Sequence, residues 1–493
     1  MKSPTGTTSL GVGTVLLTAG QSAAKAADLL VAAILVRWLS KPDWATLALL
    51  LSIYSVAIGL GGMNIHQGIY FFYGRLPASE RRRLAVQTSG LLAITGAIAA
   101  LIILALDPLL ADSPYQVAAL LPLLALTVLL EVPTLGAPQI LIAAERVGAA
   151  AAVLSGASLL RVASLLVPVG LGWGLRGAAL GLVGYAGLRL AGYLILLWRV
   201  TPPGPIRFDA ASIREQVRYS LPLGLSLATG LVNRDVGKWM VAALRPPQFG
   251  AYAIAATEVP LIALLPSSIG AVLATRLVDA FQRGKAQLAH AYWLAAAARA
   301  SLVIVPATIG IILCAPQLIV LLFTQSYATA VLPFQIFTLI LLHRVTEYGS
   351  ILRAAGDTRS LWLSSCVLLG GNLLIALPLT LWFGMVGTAI GAVGANLLSW
   401  AFALSRISRI VQRPLRRVFP WPTYLRILAV SVAAGGAAWL LARLAPPQPV
   451  PQLAARAACF VLLLLGGIAL AGVRRTLPEL PPEQLAEPAA VGV

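Results

Sequence analysis

Apolar stretches of about 20 residues recur along the whole chain, each closed by a short polar or basic break. At 1.5 Å per residue, such a stretch crosses a hydrocarbon core of about 30 Å as a helix. A helix also satisfies its own backbone hydrogen bonds, which lipid cannot do for it. The period-two alternation of a lipid-facing barrel strand is absent. The pattern predicts spans at 10–36, 45–73, 84–106, 116–143, 147–170 and 175–198. A second set follows at 217–243, 249–277, 288–314, 328–353, 360–382 and 386–408, then a last pair at 423–444 and 453–472. The reading is an all-α membrane protein of about fourteen transmembrane helices. It divides into an N-lobe at 1–200, a linker at 201–216, a C-lobe at 217–410, an extra pair at 411–475 and a Pro-rich disordered tail at 476–493. The first apolar segment runs on through Lys25 and Asp28 to Arg37, without the short core and small-residue cleavage site of a signal peptide.

Composition supports this picture. Only 11% of the 493 residues are charged, too few to cover a soluble fold of this size, where about 25% is usual. The net charge of +19 would suggest nucleic acid on a soluble protein, but position argues otherwise. With the N-terminus in the cytoplasm, 23 Lys and Arg fall on inner segments and 6 on outer ones. That asymmetry puts both termini on the cytoplasmic side of the membrane and explains the charge without nucleic acid. Trp38, Trp44, Trp173, Trp198, Trp362, Trp382 and Trp421 lie near span ends, as an interfacial belt requires. Cys314, Cys366 and Cys459 lie far apart, without disulfide or metal spacing. Phosphate-binding-loop, His-Glu-x-x-His and Gly-x-Ser-x-Gly patterns are absent, so no enzyme is expected and no cofactor.

The halves repeat. Gly174, Gly177, Gly181 and Gly184 match Gly384, Gly387, Gly391 and Gly394 at an offset of 210, and Pro168 and Pro378 keep the same step. Six spans per half is even, so the halves enter the membrane in the same sense. Two six-helix lobes related by a pseudo-twofold along the membrane normal are expected around a central cavity. The glycines at spacing four read as close-packing positions.

Further residues carry a family likeness over roughly 10–410. They are Leu221-Pro222-Leu223, Asn233-Arg234-Asp235, Gln248-Phe249-Gly250 with Tyr252, Tyr327 with Ala330, Leu352 to Asp357, and Phe383-Gly384 with Gly387. Weaker counterparts are Arg37 to Trp44 and Ala143 to Arg146. Together they resemble the polysaccharide exporter branch of the multidrug/oligosaccharidyl-lipid/polysaccharide flippase superfamily, the Wzx-type flippases. Ala45 departs from the glycine that Gly250 supplies in the second half, and the last two spans exceed a twelve-helix core. The resemblance implies alternating-access flipping of an undecaprenyl-diphosphate-linked oligosaccharide from the inner to the outer leaflet, by a monomer, with a glycan polymerase as a partner. A multidrug exporter of the same fold and a lipid II flippase are the alternatives.

Charges inside spans are costly and usually face water or a partner. Lys25 and Asp28 are three apart in span one, as are Asp235 and Lys238 in span seven, its repeat equivalent. The reading is an anion site in which Lys25, Arg234 and Lys238 hold a diphosphate or acidic sugar. Asp28 or Asp235 would neutralise the bases and carry a coupling H+ or Na+. Glu258, and Arg344 with Glu347 and His343 at helical neighbour spacing, complete the expected cavity lining. Glu131 is a lone acid in span four, and Asn64 and His66 after Gly61-Gly62 suggest a softened second span. The segment Thr201 to Arg218 reads as a plain linker along the inner surface.

Overall fold

The computed structural model describes residues 27–204, 207–257, 260–345 and 347–478. Lys25, Glu258 and nearly all of the 476–493 tail lie outside them. The described residues are helical throughout and contain no strand. Nine helical stretches are long and apolar enough to cross a membrane. Two of them, Val147–Val200 and Thr358–Val411, are hairpins, and with the remaining helices the chain has about fourteen spans. Large side chains lie exposed along these helices, among them Leu101, Leu374, Trp382 and Leu462. That is the expected outer surface of a protein whose solvent is lipid.

By its internal contacts the chain forms two compact units, Met1–Ala253 and Ile254–Val493. Each contains one of the glycine hairpins. Gly174 turns the first at φ +58° and Gly384 the second at φ +57°, a conformation only glycine adopts freely. Behind each turn the helices touch. A Cβ at Gly181 would run into the Ser164 carbonyl, and one at Gly391 into Ala376. The repeated glycines therefore set backbone-to-backbone contact, as their spacing suggests.

In the first unit, the helix Lys41–Gly62 starts at Ser40, whose Oγ accepts from the Asp43 amide at 3.2 Å. It ends where Met63 and Asn64 both take left-handed φ, at 40° and 54°. A 3-10 turn and the short helix Gly68–Phe72 complete the broken second span. Trp44 is not in an interfacial belt. It is buried, and its Nε1 donates to the Gly250 carbonyl at 3.0 Å.

The helix Ala210–Leu244 begins inside the segment read as linker, with Asp209 Oδ1 capping the Ala211 amide at 3.1 Å. The extended part before it is tied down. Arg82 donates to the Thr201 carbonyl at 2.8 Å, and Gln87 to that of Asp209 at 3.2 Å.

The second unit packs around the long helix Ala286–Phe323. Its core holds Trp293, Ile304, Ile351, Ile407 and Phe419. Pro316 interrupts that helix and removes the donor that Ile312 O would receive. Gln335 Nε2 replaces it at 2.9 Å. The terminal helices Trp421–Leu441 and Pro449–Leu470 dock here too, with Arg456 Nη1 donating to Leu313 O at 2.8 Å and Gln317 Oε1 at 2.9 Å.

Candidate functional site

The basic cluster of span seven forms around Asp235. Its side chain is 1% exposed and accepts from three directions. Arg234 Nε lies at 2.9 Å, Lys238 Nζ at 2.7 Å and Ser52 Oγ at 3.0 Å. Asp235 and Lys238 meet because three residues is nearly one helical turn. The serine comes from the neighbouring helix Lys41–Gly62, where Ser52 and Ser55 also share a face. Ser55 Oγ accepts from Arg234 Nη2 at 2.6 Å, and Ser52 Oγ accepts from Trp239 Nε1 at 3.1 Å. Close helix approach permits this: a Cβ at Gly59 would strike Leu231.

Charge balance is the telling feature. Among the described residues one carboxylate faces two cations, leaving a surplus of one positive charge. The Arg234 side chain is 45% exposed and that of Lys238 24%. The aspartate is sealed while the arginine keeps an open edge. Such a site holds its cations in place when empty and offers them to an anion.

Asp28 is placed differently. Its partner among the described residues is Arg161 of the helix Val147–Pro168, paired through Nη2 and Oδ1. Among the described residues, Asp28 and the Asp235 cluster share no partner. Arg161, which the sequence leaves without a role, is the base that Asp28 meets there, and Lys25 lies outside the described residues.

A second buried network surrounds Glu131. Tyr54 donates to it at 2.5 Å and Tyr185 at 3.3 Å. Arg189 pairs with the same carboxylate and also donates to Tyr185 Oη at 2.8 Å. Tyr185 and Arg189 are one helical turn apart on Gly174–Val200, a spacing that could have flagged them. Glu131 has one cation and two hydroxyls, so it is balanced. This is a helix-packing lock rather than a ligand site.

Among the described residues, His343, Arg344 and Glu347 do not meet at helical neighbour spacing on span ten. Helical neighbour spacing fails because the helix Ile340–His343 stops, Arg344 leaves the helical path and Glu347 is extended before Tyr348–Ala354 resumes. Glu347 pairs with Arg353 instead. His343 is buried, its ring 5.8 Å from that of Trp400, and its carbonyl accepts from Tyr348 Oη at 2.5 Å. Arg344 stays exposed. The described residues contain no group of three or more His, Cys, Asp or Glu able to hold a metal.

Comparison with known proteins agrees with this architecture. The profile of the family described as polysaccharide biosynthesis protein matches residues 10–275. No curated protein matches the chain. Among solved structures, the lipid II flippase MurJ in an inward closed conformation superposes with a TM-score of 0.75 at 12% identity, over 92% of this chain and 98% of that one. An inward-facing multidrug resistance MATE transporter of the MOP superfamily gives 0.63 at 17%, over 79% and 96%. A MOP superfamily transporter from Pyrococcus furiosus, described as having a binding pocket of reverse polarity, gives 0.53 at 14%, over 81% and 96%. At these identities the likeness establishes the fold and leaves the cargo to the site.

Proposed function

The chain belongs to the polysaccharide biosynthesis protein family, and on that premise we propose that it is a flippase for a lipid-diphosphate-linked oligosaccharide. The cargo would be an O-antigen, capsule or exopolysaccharide repeat unit on undecaprenyl diphosphate, moved from the inner to the outer leaflet of the bacterial cytoplasmic membrane. The observation that carries the proposal is the unbalanced cluster at Asp235. An anionic diphosphate replaces solvent at the open edge of Arg234 and Lys238, while Asp235 and the two serines keep both bases oriented. Alternate exposure of this cluster to the two leaflets would move the headgroup.

A multidrug exporter handling cations would need surplus carboxylates, and Asp28, Glu131 and Asp235 each already hold a base. Lipid II as cargo is the second reading. It presents the same diphosphate, so only the glycan separates the two. If an ion couples transport, Asp28 suits the role better than Asp235. Asp28 is 54% exposed and has one basic partner among the described residues, whereas Asp235 is sealed beneath two.

The test is a reconstituted flipping assay with fluorescent lipid-diphosphate sugars, run with and without H+ and Na+ gradients. Transfer by the wild-type protein that falls in Arg234→Gln supports the reading. Absence of transfer under every gradient, alongside export of a cationic dye, overturns it.

A further inference from the structure

Arginines gather at helix ends in both units, but they are used differently. In the first unit Arg75, Arg82 and Arg83 are engaged. Arg82 is bonded to Thr201 and stacks over Trp198, with its carbon at 4.9 Å from the ring centre. Arg83 pairs with Glu80 at 2.7 Å, and Arg75 lies 3.6 Å over Phe71. In the second unit, residues 412–420 join the helix Leu377–Val411 to Trp421–Leu441 and present two arginines, Arg416 and Arg417, that have no partner among the described residues.

The backbone of this loop is fixed. Gln287 Nε2 donates to Val411 O at 2.8 Å, and Gln287 Oε1 accepts from Arg413 Nε at 2.8 Å. A ring nitrogen of His290 lies 2.9 Å from Val418 O. Val418 and Phe419 are buried, and the Phe419 ring meets Trp400 at 5.8 Å and Trp421 at 4.9 Å. Between these anchors Leu415 is 52% exposed. Arg416 and Arg417 beside it are exposed, and their side chains make no ion pair, hydrogen bond or ring contact among the described residues. Arg409 and Arg426, on the flanking helix ends, are exposed and equally uncommitted.

We propose that this loop is a docking surface for the anionic phospholipid headgroups of the membrane it borders. The loop joins two helices long and apolar enough to cross a membrane, and a loop between two spans borders the headgroup layer. Guanidinium groups match phosphate in a two-pronged geometry, and the fixed backbone spares most of the ordering cost. Leu415 adds an apolar contact at the boundary between headgroup and acyl chain. Each basic residue near an anionic surface contributes about fivefold in affinity. The proposal is independent of the transported cargo.

The test uses the full chain in nanodiscs of phosphatidylcholine with a minor share of phosphatidylglycerol. After detergent extraction, retained lipids are counted by mass spectrometry. The wild type should retain phosphatidylglycerol in several-fold excess. Arg416→Gln/Arg417→Gln should lose most of that excess, and Arg416→Lys/Arg417→Lys should keep part of it. Arg176→Gln/Arg443→Gln, with the same net charge, should retain it all. Equal loss in that control, or no loss in the first variant, overturns the proposal. So does displacement of the lipid by inorganic phosphate at about 1 mM, because the loop would then be a site for free anions. Thermal unfolding of each variant confirms that it is folded, and an unfolded pair is replaced by the single variants.

Discussion

The first unit seals two carboxylates within its helices, Asp235 and Glu131, and treats them in opposite ways. Their side chains are almost equally hidden, at 1% and 4% exposure. Glu131 receives one arginine and two tyrosine hydroxyls, and Arg189 is itself only 20% exposed. Its charges cancel inside the protein. Asp235 receives two bases, and the outer one stays open. Burial alone therefore does not identify a functional charge. The imbalance around it does, because only an unbalanced site has binding capacity left for a ligand.

The largest expected effect comes from breaking the balanced site. Glu131→Ala leaves Arg189 buried without its counterion, a loss of about 3–5 kcal/mol. In detergent this should appear as a large drop in melting temperature and low yield of folded protein. Removing both partners in Glu131→Ala/Arg189→Ala should recover much of the loss, since no lone charge remains. A double variant as unstable as the single one would show that the pair is not the lock described.

The unbalanced site should respond in function rather than in folding. In Arg234→Gln, Asp235 still has Lys238 and Ser52, so melting should change little. Flipping should fall about 10- to 100-fold, the worth of one charge-assisted hydrogen bond to a phosphate. Comparable losses of stability and transport would move Arg234 into the class of Arg189. Ser55→Ala is a milder form of the same experiment. It removes the hydroxyl that holds Arg234 Nη2 at 2.6 Å and should lower flipping by about fivefold at most.

The contrast between the sites was half visible in the sequence. Asp235 and Lys238 are three apart on one helix, so local geometry alone brings them together. Ser52 lies 183 residues from Asp235, and Arg161 lies 133 from Asp28. Such partners are chosen by the rotation and depth at which two helices pack, which no periodicity encodes. Trp44 shows the same limit. Its place at a span end suggested an interface, but packing against Gly250 took it inside. The hairpin turns were legible because a positive φ and a close contact leave glycine little competition. The break at Glu347 was not, since the spacing of His343, Arg344 and Glu347 assumes the helix that the chain abandons there.

The smallest effect belongs to a carboxylate outside the spans, and it separates a surface pair from both buried ones. Asp357 precedes the helix Thr358–Gly371, with Oδ1 accepting the Ser360 amide at 3.1 Å and Oδ2 facing Arg406 Nη2 at 3.0 Å. Burial pulls its carboxyl upward, but the hydrogen bonds from Ser360 and Arg406 outweigh it and hold the group below the ordinary carboxylate range. A depressed value in the folded state means that Asp357 stabilises above the unfolded carboxylate's range near pH 4, and that this contribution fades as pH falls through the folded value. A half-buried pair that still borders solvent contributes little. Arg406→Gln should therefore lower the melting temperature by about 1–2 °C at pH 7. The difference from wild type should shrink as the pH falls below about 4. A difference that stays constant across that range would mean that Arg406 acts through packing, and that Asp357 owes its charge to the helix end alone.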